Sequence, residues 1–200
     1  MTSGHSFNRV VGDSRGQSLV EFAMVMPLLI VIAFGVVETG YALLDQHVVT
    51  KLAREGSNLI SRDTSLQDAS IAMRTMSTRP VNLDSGSKVI FSVIKKGASV
   101  GTPNYDREVL YQRYVFGTLS GVNSAVKTRG SGSFRGAPEY EAVNSDHDTN
   151  LQIVNLPVTL NMTRGGLIYV TEVFTTHKLL TPLDQFGVRL PNMLYSIAYF

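Results

Sequence analysis

The sequence predicts an α+β chain in which a long N-terminal helix and a second, short helix precede an antiparallel sheet of about five strands. Three observations carry this reading. From Phe22 to Val37 no side chain is charged and the apolar run is broken only by Pro27. Past that run, apolar residues keep recurring at helical spacing to about Ser61. After Pro80 the period changes to two, and helices followed by strands indicate a sheet packed on the amphipathic half of the long helix.

The first element is the helix itself. Sixteen positions from Phe22 to Val37 span roughly 24 Å, slightly short of the roughly 20 residues a bilayer needs. Counting back through Leu19 and Val20 closes the gap, and the transmembrane segment is assigned to 17–37. It also leaves Glu21 at the membrane boundary, where a carboxylate costs a few kcal/mol unless it is paired or near the surface. Beyond Glu38, residues Tyr41, Leu44, Val48, Leu52 and Leu59 recur at spacings of three, four or seven, with Asp45, Gln46, Thr50, Lys51, Arg54 and Asn58 on the other side. Residues 38–62 therefore read as an amphipathic continuation. Ser18 to Ser61 would reach roughly 65 Å, with a kink expected at Pro27 and local weakening at Gly35, Gly40 and Gly56.

Thr64 with Gln67 three positions on is a capping-box pattern. It opens a second helix with Leu66, Ala69, Met73 and Met76 on one face, ended by Thr78-Arg79-Pro80. Lys88 to Lys96 is apolar on both faces apart from Ser92 and reads as an inner strand. Val109 to Phe116, Gln152 to Leu160, Leu167 to Thr176 and Met193 to Phe200 are the other strands. Pro157 lacks an amide proton, which pushes the third to an edge or a bulge. Residues 63–200 thus form one α+β domain. The stretch from Ser120 to Asn150, rich in Gly, Ser and charge, is read as a flexible region, either functional or disordered.

Composition narrows the function classes. The formal charge is +2, and removing residues 1–16 takes away Arg9, Arg15 and Asp13, leaving 16 basic and 15 acidic side chains. No basic stripe with interleaved aromatics appears, so nucleic acid is not a predicted partner. The absence of cysteine excludes a disulfide framework and thiolate metal sites and fits either side of a membrane. Arg9 and Arg15 before the run compete with Lys51 and Arg54 beyond it. Arg15 lies nearer its end of the run, which predicts a cytoplasmic N-terminus and an extracytoplasmic C-terminal domain. An ordinary secretory signal fits poorly, since Val36-Val37-Glu38-Thr39-Gly40 offers no Ala-x-Ala site.

Motifs of chemistry are weak. Gly12-Asp13-Ser14-Arg15-Gly16 matches G-x-S-x-G, but the pentapeptide ends a polar prefix where a nucleophile elbow needs a strand before it. Asp146, Asp148 and Asn150 open like a calcium loop, yet Leu151 stands where the turn glycine belongs and Pro157 where the closing glutamate belongs. They are weak metal candidates, and no metal or cofactor is predicted. Residues 129–136 are glycine-rich and basic without the spacing of a phosphate cradle. His5, His47, His147 and His177 form no metal pair on a helix. Glu172, between Val170 and Phe174, reads as solvent-facing or as half of a buried ion pair.

Gly16, then Gln17-Ser18-Leu19-Val20, then Glu21-Phe22 resembles the processing site of type IV pilins and pseudopilins. Glu21-Phe22 followed by Ala-Met-Val-Met-Pro-Leu-Leu is similar to the TadE family of tight-adherence (Flp) pilus systems. Leu52-Ala53-Arg54-Glu55-Gly56 and Ile168 to Phe174 resemble that family's helix continuation and late strand. The resemblance implies a pilin-like helix and a leader, residues 1–16, removed by a prepilin peptidase after Gly16, with Gln17, Glu21 and Phe22 completing the processing site. Glu21 of one subunit would then neutralise the new amine at Gln17 of a neighbour. Glu21, Phe22, Pro27 and Val37 would belong to the segment that spans the inner membrane and assembles. The implied role is that of a minor pseudopilin without catalysis. Its implied partners are the peptidase, other minor pseudopilins, the Flp pilin and the Tad inner-membrane platform. The alternative from another class is a membrane-anchored extracytoplasmic binding module that keeps its signal anchor and binds through Ser120 to Asn150; a secreted enzyme ranks third.

Overall fold

The computed structural model describes residues 14–157, 159–182, 187 and 192–200. Arg9, His5 and most of the predicted leader lie outside the described residues. Helix α1 covers Ser14–Ile60 and runs through Pro27 without interruption. Helix α2 covers Leu66–Met76. Four strands follow, β1 (Ser87–Lys96), β2 (Glu108–Gly117), β3 (Leu167–Thr176) and β4 (Met193–Tyr199), with a single 3₁₀ turn at Thr149–Leu151. The α+β class is as predicted.

The sheet has the order β2-β1-β3-β4 with antiparallel neighbours throughout. Strand β1 is central, as its two apolar faces require. One extra residue at Tyr111 shifts the β1–β2 register between Val93 and Ile94. The third of the five predicted strands does not form among the described residues. Among the described residues of 152–160 only Gln152 and Ile153 pair, as isolated bridges to Val109 and Thr128. Pro157, with no N–H to give a ladder, ends the pairing tendency that the alternating valines and leucines suggest.

Two apolar layers sandwich the sheet. On one face Val89, Phe91, Val93, Phe116 and Val173 meet Val49, Leu52, Ala53 and Ile60 of α1 and Leu66, Ala69 and Met73 of α2. A fully buried Phe91 contributes on the order of 1.5–3 kcal/mol to this layer. On the opposite face Ile94, Ile168 and Val170 lie beneath Val126 and Met162, with Ile153, Leu156 and Leu160 alongside. Most of the connection between β2 and β3 is therefore an irregular covering layer. Residues 120–150, read from sequence as flexible, supply part of it, through Val126 and through Phe134 and Ala142 beside Val109 and Leu110.

Two local details differ from the sequence reading. The second helix is capped by Ser65 in place of Thr64: its Oγ accepts from Asp68 N at 3.1 Å and donates to the Asp68 carboxylate at 2.8 Å. Met76 at its end is exposed, and the buried face is Leu66, Ala69, Ser70 and Met73. In α1 the face turned to the sheet carries Val49, Leu52, Ala53, Gly56, Ser57 and Ile60, whereas Tyr41 and Leu44 of the predicted stripe are exposed. The helix is rotated by about one residue, or 100°, from the orientation its large apolar side chains suggest. Close packing selects an adjacent face that keeps Leu52 and brings in small residues: a Cβ at Gly56 would stand 2.7 Å from Thr171 Cγ2 and 3.2 Å from Met73 Cε.

Candidate functional site

The functional candidates gather on α1. From Gln17 to Ile30 every residue is exposed, so none of the described residues covers this half of the helix. Its most apolar window has a mean hydropathy of 2.5 with no buried residue. Exposing this many large apolar side chains is unfavourable in water and fits a lipid environment. Gly16 lies inside the helix, and an added Cβ would meet nothing within 4 Å. Packing therefore does not require glycine there. The Gln17 side-chain amide donates to Glu21 Oε1 at 3.0 Å, one turn on. Phe22, Pro27 and Val37 are all exposed on the same free segment. Gly16, Gln17, Glu21 and Phe22 thus lie within one exposed stretch of just under two helical turns.

Where the apolar run ends, the folded domain takes hold of the helix. Glu38, the first charge after Glu21, is fully buried. Its carboxylate accepts from Leu180 N at 3.1 Å, Thr181 N at 2.9 Å and Thr181 Oγ1 at 2.7 Å, and lies 3.2 Å from His177 Nε2. The other ring nitrogen, Nδ1, lies 2.8 Å from Asp45 Oδ2, two turns further along α1. Each ring nitrogen of His177 thus faces a carboxylate of α1. His177 follows β3 directly, and its own N–H donates to Asn192 O at 2.7 Å. The loop after β3 is in this way strapped to α1 at two levels. Further up, Gln46 Nε2 donates to Tyr195 O at 3.0 Å and Ser57 Oγ to Ala198 O at 2.9 Å, which lays α1 along β4.

Sequence reasoning missed Glu38 and His177. A signal existed for the first, since Glu38 alone interrupts an otherwise uncharged stretch from Phe22 to Leu44. Its partner lies 139 residues away and carries no local mark.

Among the described residues Glu172 is the other buried carboxylate. It accepts from Ala125 N at 2.6 Å, from Ser124 Oγ and from Tyr195 OH at 3.1 Å, fastening the covering layer to the sheet. Ser124 Oγ also receives Arg113 Nη2 at 3.2 Å, so the opposite charge is reached through a shared hydroxyl. Burial holds Arg113 below its ordinary value, partly offset by Glu172.

The weak metal candidates are engaged in local structure. Asp146 accepts from Ser99 Oγ at 2.8 Å, and Asp148 caps the 3₁₀ turn by accepting from Asn150 N at 2.9 Å. Among the described residues no three His, Asp or Glu side chains form a group able to hold a metal. Ser14 to Gly16 of the G-x-S-x-G match begin α1, and Gly12 and Asp13 lie outside the described residues.

The family model described as TadE-like protein matches residues 16–58, the helix from Gly16 to the turn that touches the sheet. No curated protein and no solved structure matches the chain.

Proposed function

With residues 16–58 as a TadE-like helix, we propose that this chain is a minor pseudopilin associated with the Tad (Flp) pilus machinery. In this reading α1 is a single inner-membrane anchor, with residues 1–16 cytoplasmic and the α+β domain extracytoplasmic. A prepilin peptidase hydrolyses the Gly16–Gln17 bond. The chain then takes part in initiating or assembling the pilus and performs no catalysis itself. Its partners are the peptidase, other minor pseudopilins, the Flp pilin and the inner-membrane platform.

The observation that carries the reading is the uncovered helix with Gly16 at its start. An added Cβ at Gly16 would meet nothing within 4 Å, so packing among the described residues does not call for glycine, which supports a reading in which a processing enzyme recognises it. Hydrolysis would release a positive amine at Gln17, one turn from Glu21. The pairing of Gln17 with Glu21 in the intact helix supports a carboxylate already oriented toward that end. Exchange of that partner for a neighbour's amine would join two charges that are each unfavourable at a bilayer boundary. A helix already apolar all round can pass from lipid to helix packing with little further desolvation.

The test is the N-terminal residue of the mature chain, read by mass spectrometry from membranes, for the wild type, Gly16→Ala and Glu21→Ala. The expected result is a terminus at Gln17 that disappears in Gly16→Ala; Glu21→Ala is expected to be processed and to fail in assembly. An intact Met1 in every sample would remove the pseudopilin reading in favour of an anchored binding module.

A further inference from the structure

The uncharged exterior of α1 does not stop at Val37. Because the domain buries Glu38, the exposed surface of the helix carries no charge from Phe22 to Leu44. These 23 residues rise about 34 Å, enough for a hydrocarbon core of about 30 Å, whereas Phe22 to Val37 alone falls short. Tyr41, Leu43 and Leu44 are 47%, 67% and 63% exposed, an apolar flank with no cover from the described residues. The loop after β3 lies at this same height. Leu180 and Thr181 donate to Glu38, about 9 Å of helical rise below Leu44.

Backbone donors that enter a bilayer need partners from the protein itself. Here the Leu180 and Thr181 amides and the Thr181 hydroxyl are taken by a carboxylate that equally needs shielding from lipid. Each removes the other's requirement for water. Leu180 is 45% exposed beside them. Just above, at the level of Asp45, a cavity of about 420 Å³ is lined by Lys178, Arg79, Asn82 and Ser85. Among the described residues neither Lys178 nor Arg79 forms an ion pair. The one carboxylate in that lining, Asp45, is held by His177. Long basic side chains above an apolar contact are suited to lipid phosphates.

We propose that the folded domain is seated in the outer interfacial layer of the membrane. In this arrangement α1 crosses from Phe22 to Leu44, Leu180 reaches the acyl boundary, and Lys178 and Arg79 contact anionic headgroups. The proposal rests on the reading of α1 as a membrane anchor, and its test separates the two. The natural chain has no cysteine, so single-cysteine variants take one label each. Full-length chains labelled with bimane at Leu28→Cys, Leu43→Cys, Leu180→Cys or Val100→Cys are reconstituted in phosphatidylcholine vesicles with or without phosphatidylglycerol and quenched by acyl-brominated lipid. Val100 lies in the loop after β1, at the far end of the sheet.

Quenching at 28, 43 and 180 with none at 100 is the expected result. Arg79→Gln combined with Lys178→Gln should reduce quenching at 180 by about twofold in phosphatidylglycerol vesicles and leave it unchanged in phosphatidylcholine alone. Quenching at 28 without quenching at 180 would overturn the proposal and leave the anchor standing, whether or not 43 is shielded by a second helix. No quenching at 28 would overturn both. An equal effect of the charge variants in the two lipids would remove the headgroup contact.

Discussion

Thr171 and Glu172 are neighbours on β3 that point to opposite faces of the sheet. Both are fully buried, yet the glutamate has three donors, whereas Thr171 Oγ1 is buried with no hydrogen-bond partner. A buried carboxylate so well supplied also acts on its surroundings. Burial and the adjacent Glu172 push the Tyr195 hydroxyl well above the ordinary tyrosine value, and the same two causes raise Tyr199. Burial raises Tyr111 and Tyr169 as well. A proton held more tightly in the folded chain stabilises it fully below the unfolded tyrosine value, about 10, and ceases to do so as the pH climbs toward the folded value. Stability of the full chain, followed by near-ultraviolet circular dichroism during urea titration, should therefore be flat to about pH 9.5 and fall above pH 10. Tyr195→Phe should lower it at neutral pH by about 1 kcal/mol, through the lost hydrogen bond, and make the alkaline fall shallower by up to one proton per chain. At this scale the sequence was half legible. Glu172 could be seen to be unusual in an apolar strand, but its donors come from residues 124, 125 and 195, which no local pattern connects.

Among the elements, the contact of α1 with β3 depends on small side chains. Gly56, within the Ala53-Arg54-Glu55-Gly56 segment, brings the helix so near that an added methyl overlaps the Thr171 side chain. Gly56→Ala should destabilise the domain by about 1–3 kcal/mol from overpacking, less up to about 1 kcal/mol recovered from helix propensity. Thr171→Ala removes both the overlapping methyl and the unsatisfied hydroxyl, so Gly56→Ala with Thr171→Ala should recover most of the loss. A double-mutant cycle of urea midpoints reads the coupling. The same contact explains why the apolar stripe of Tyr41, Leu44 and Val48 misled. Periodicity finds the bulkiest face of a helix, while the sheet accepts the face that comes closest. The strand predicted over Gln152 to Leu160 failed for a related reason: alternation was present, but Pro157 and a partner already supplied with bridges left no ladder to join. The helices were legible from their periodicity, β1 as a short run apolar on both faces, and β2, β3 and β4 as runs of seven or more residues rich in β-branched and aromatic side chains.

For the molecule as a whole, the decisive feature is that the helix and the domain are joined by more than the chain. Glu38→Gln would replace a carboxylate that accepts from Leu180 N, Thr181 N and Thr181 Oγ1 and faces His177 by a side chain with one acceptor oxygen. The loss of charge-assisted hydrogen bonds, about 1.5–3 kcal/mol, corresponds to roughly a tenfold or greater rise in opening of the loop after β3. Lys178 in that loop is exposed. Trypsin should therefore cut after Lys178 about tenfold faster in the Glu38→Gln chain, while the exposed Glu55→Gln leaves the rate unchanged. Sequence showed an apolar helix leading into a domain; it did not show whether the two are hinged or fixed, because the fixing residues lie at opposite ends of the chain. Glu38 and Gly56, eighteen residues apart, hold about 27 Å of helix against the sheet. A tug along α1 from the bilayer would consequently load that seam in shear, with the straps at Glu38, Asp45, Gln46, Ser57 and the Gly56 contact resisting together. Peeling them one by one would need a sideways force, so this attachment is strongest along the one direction in which a membrane helix is drawn out.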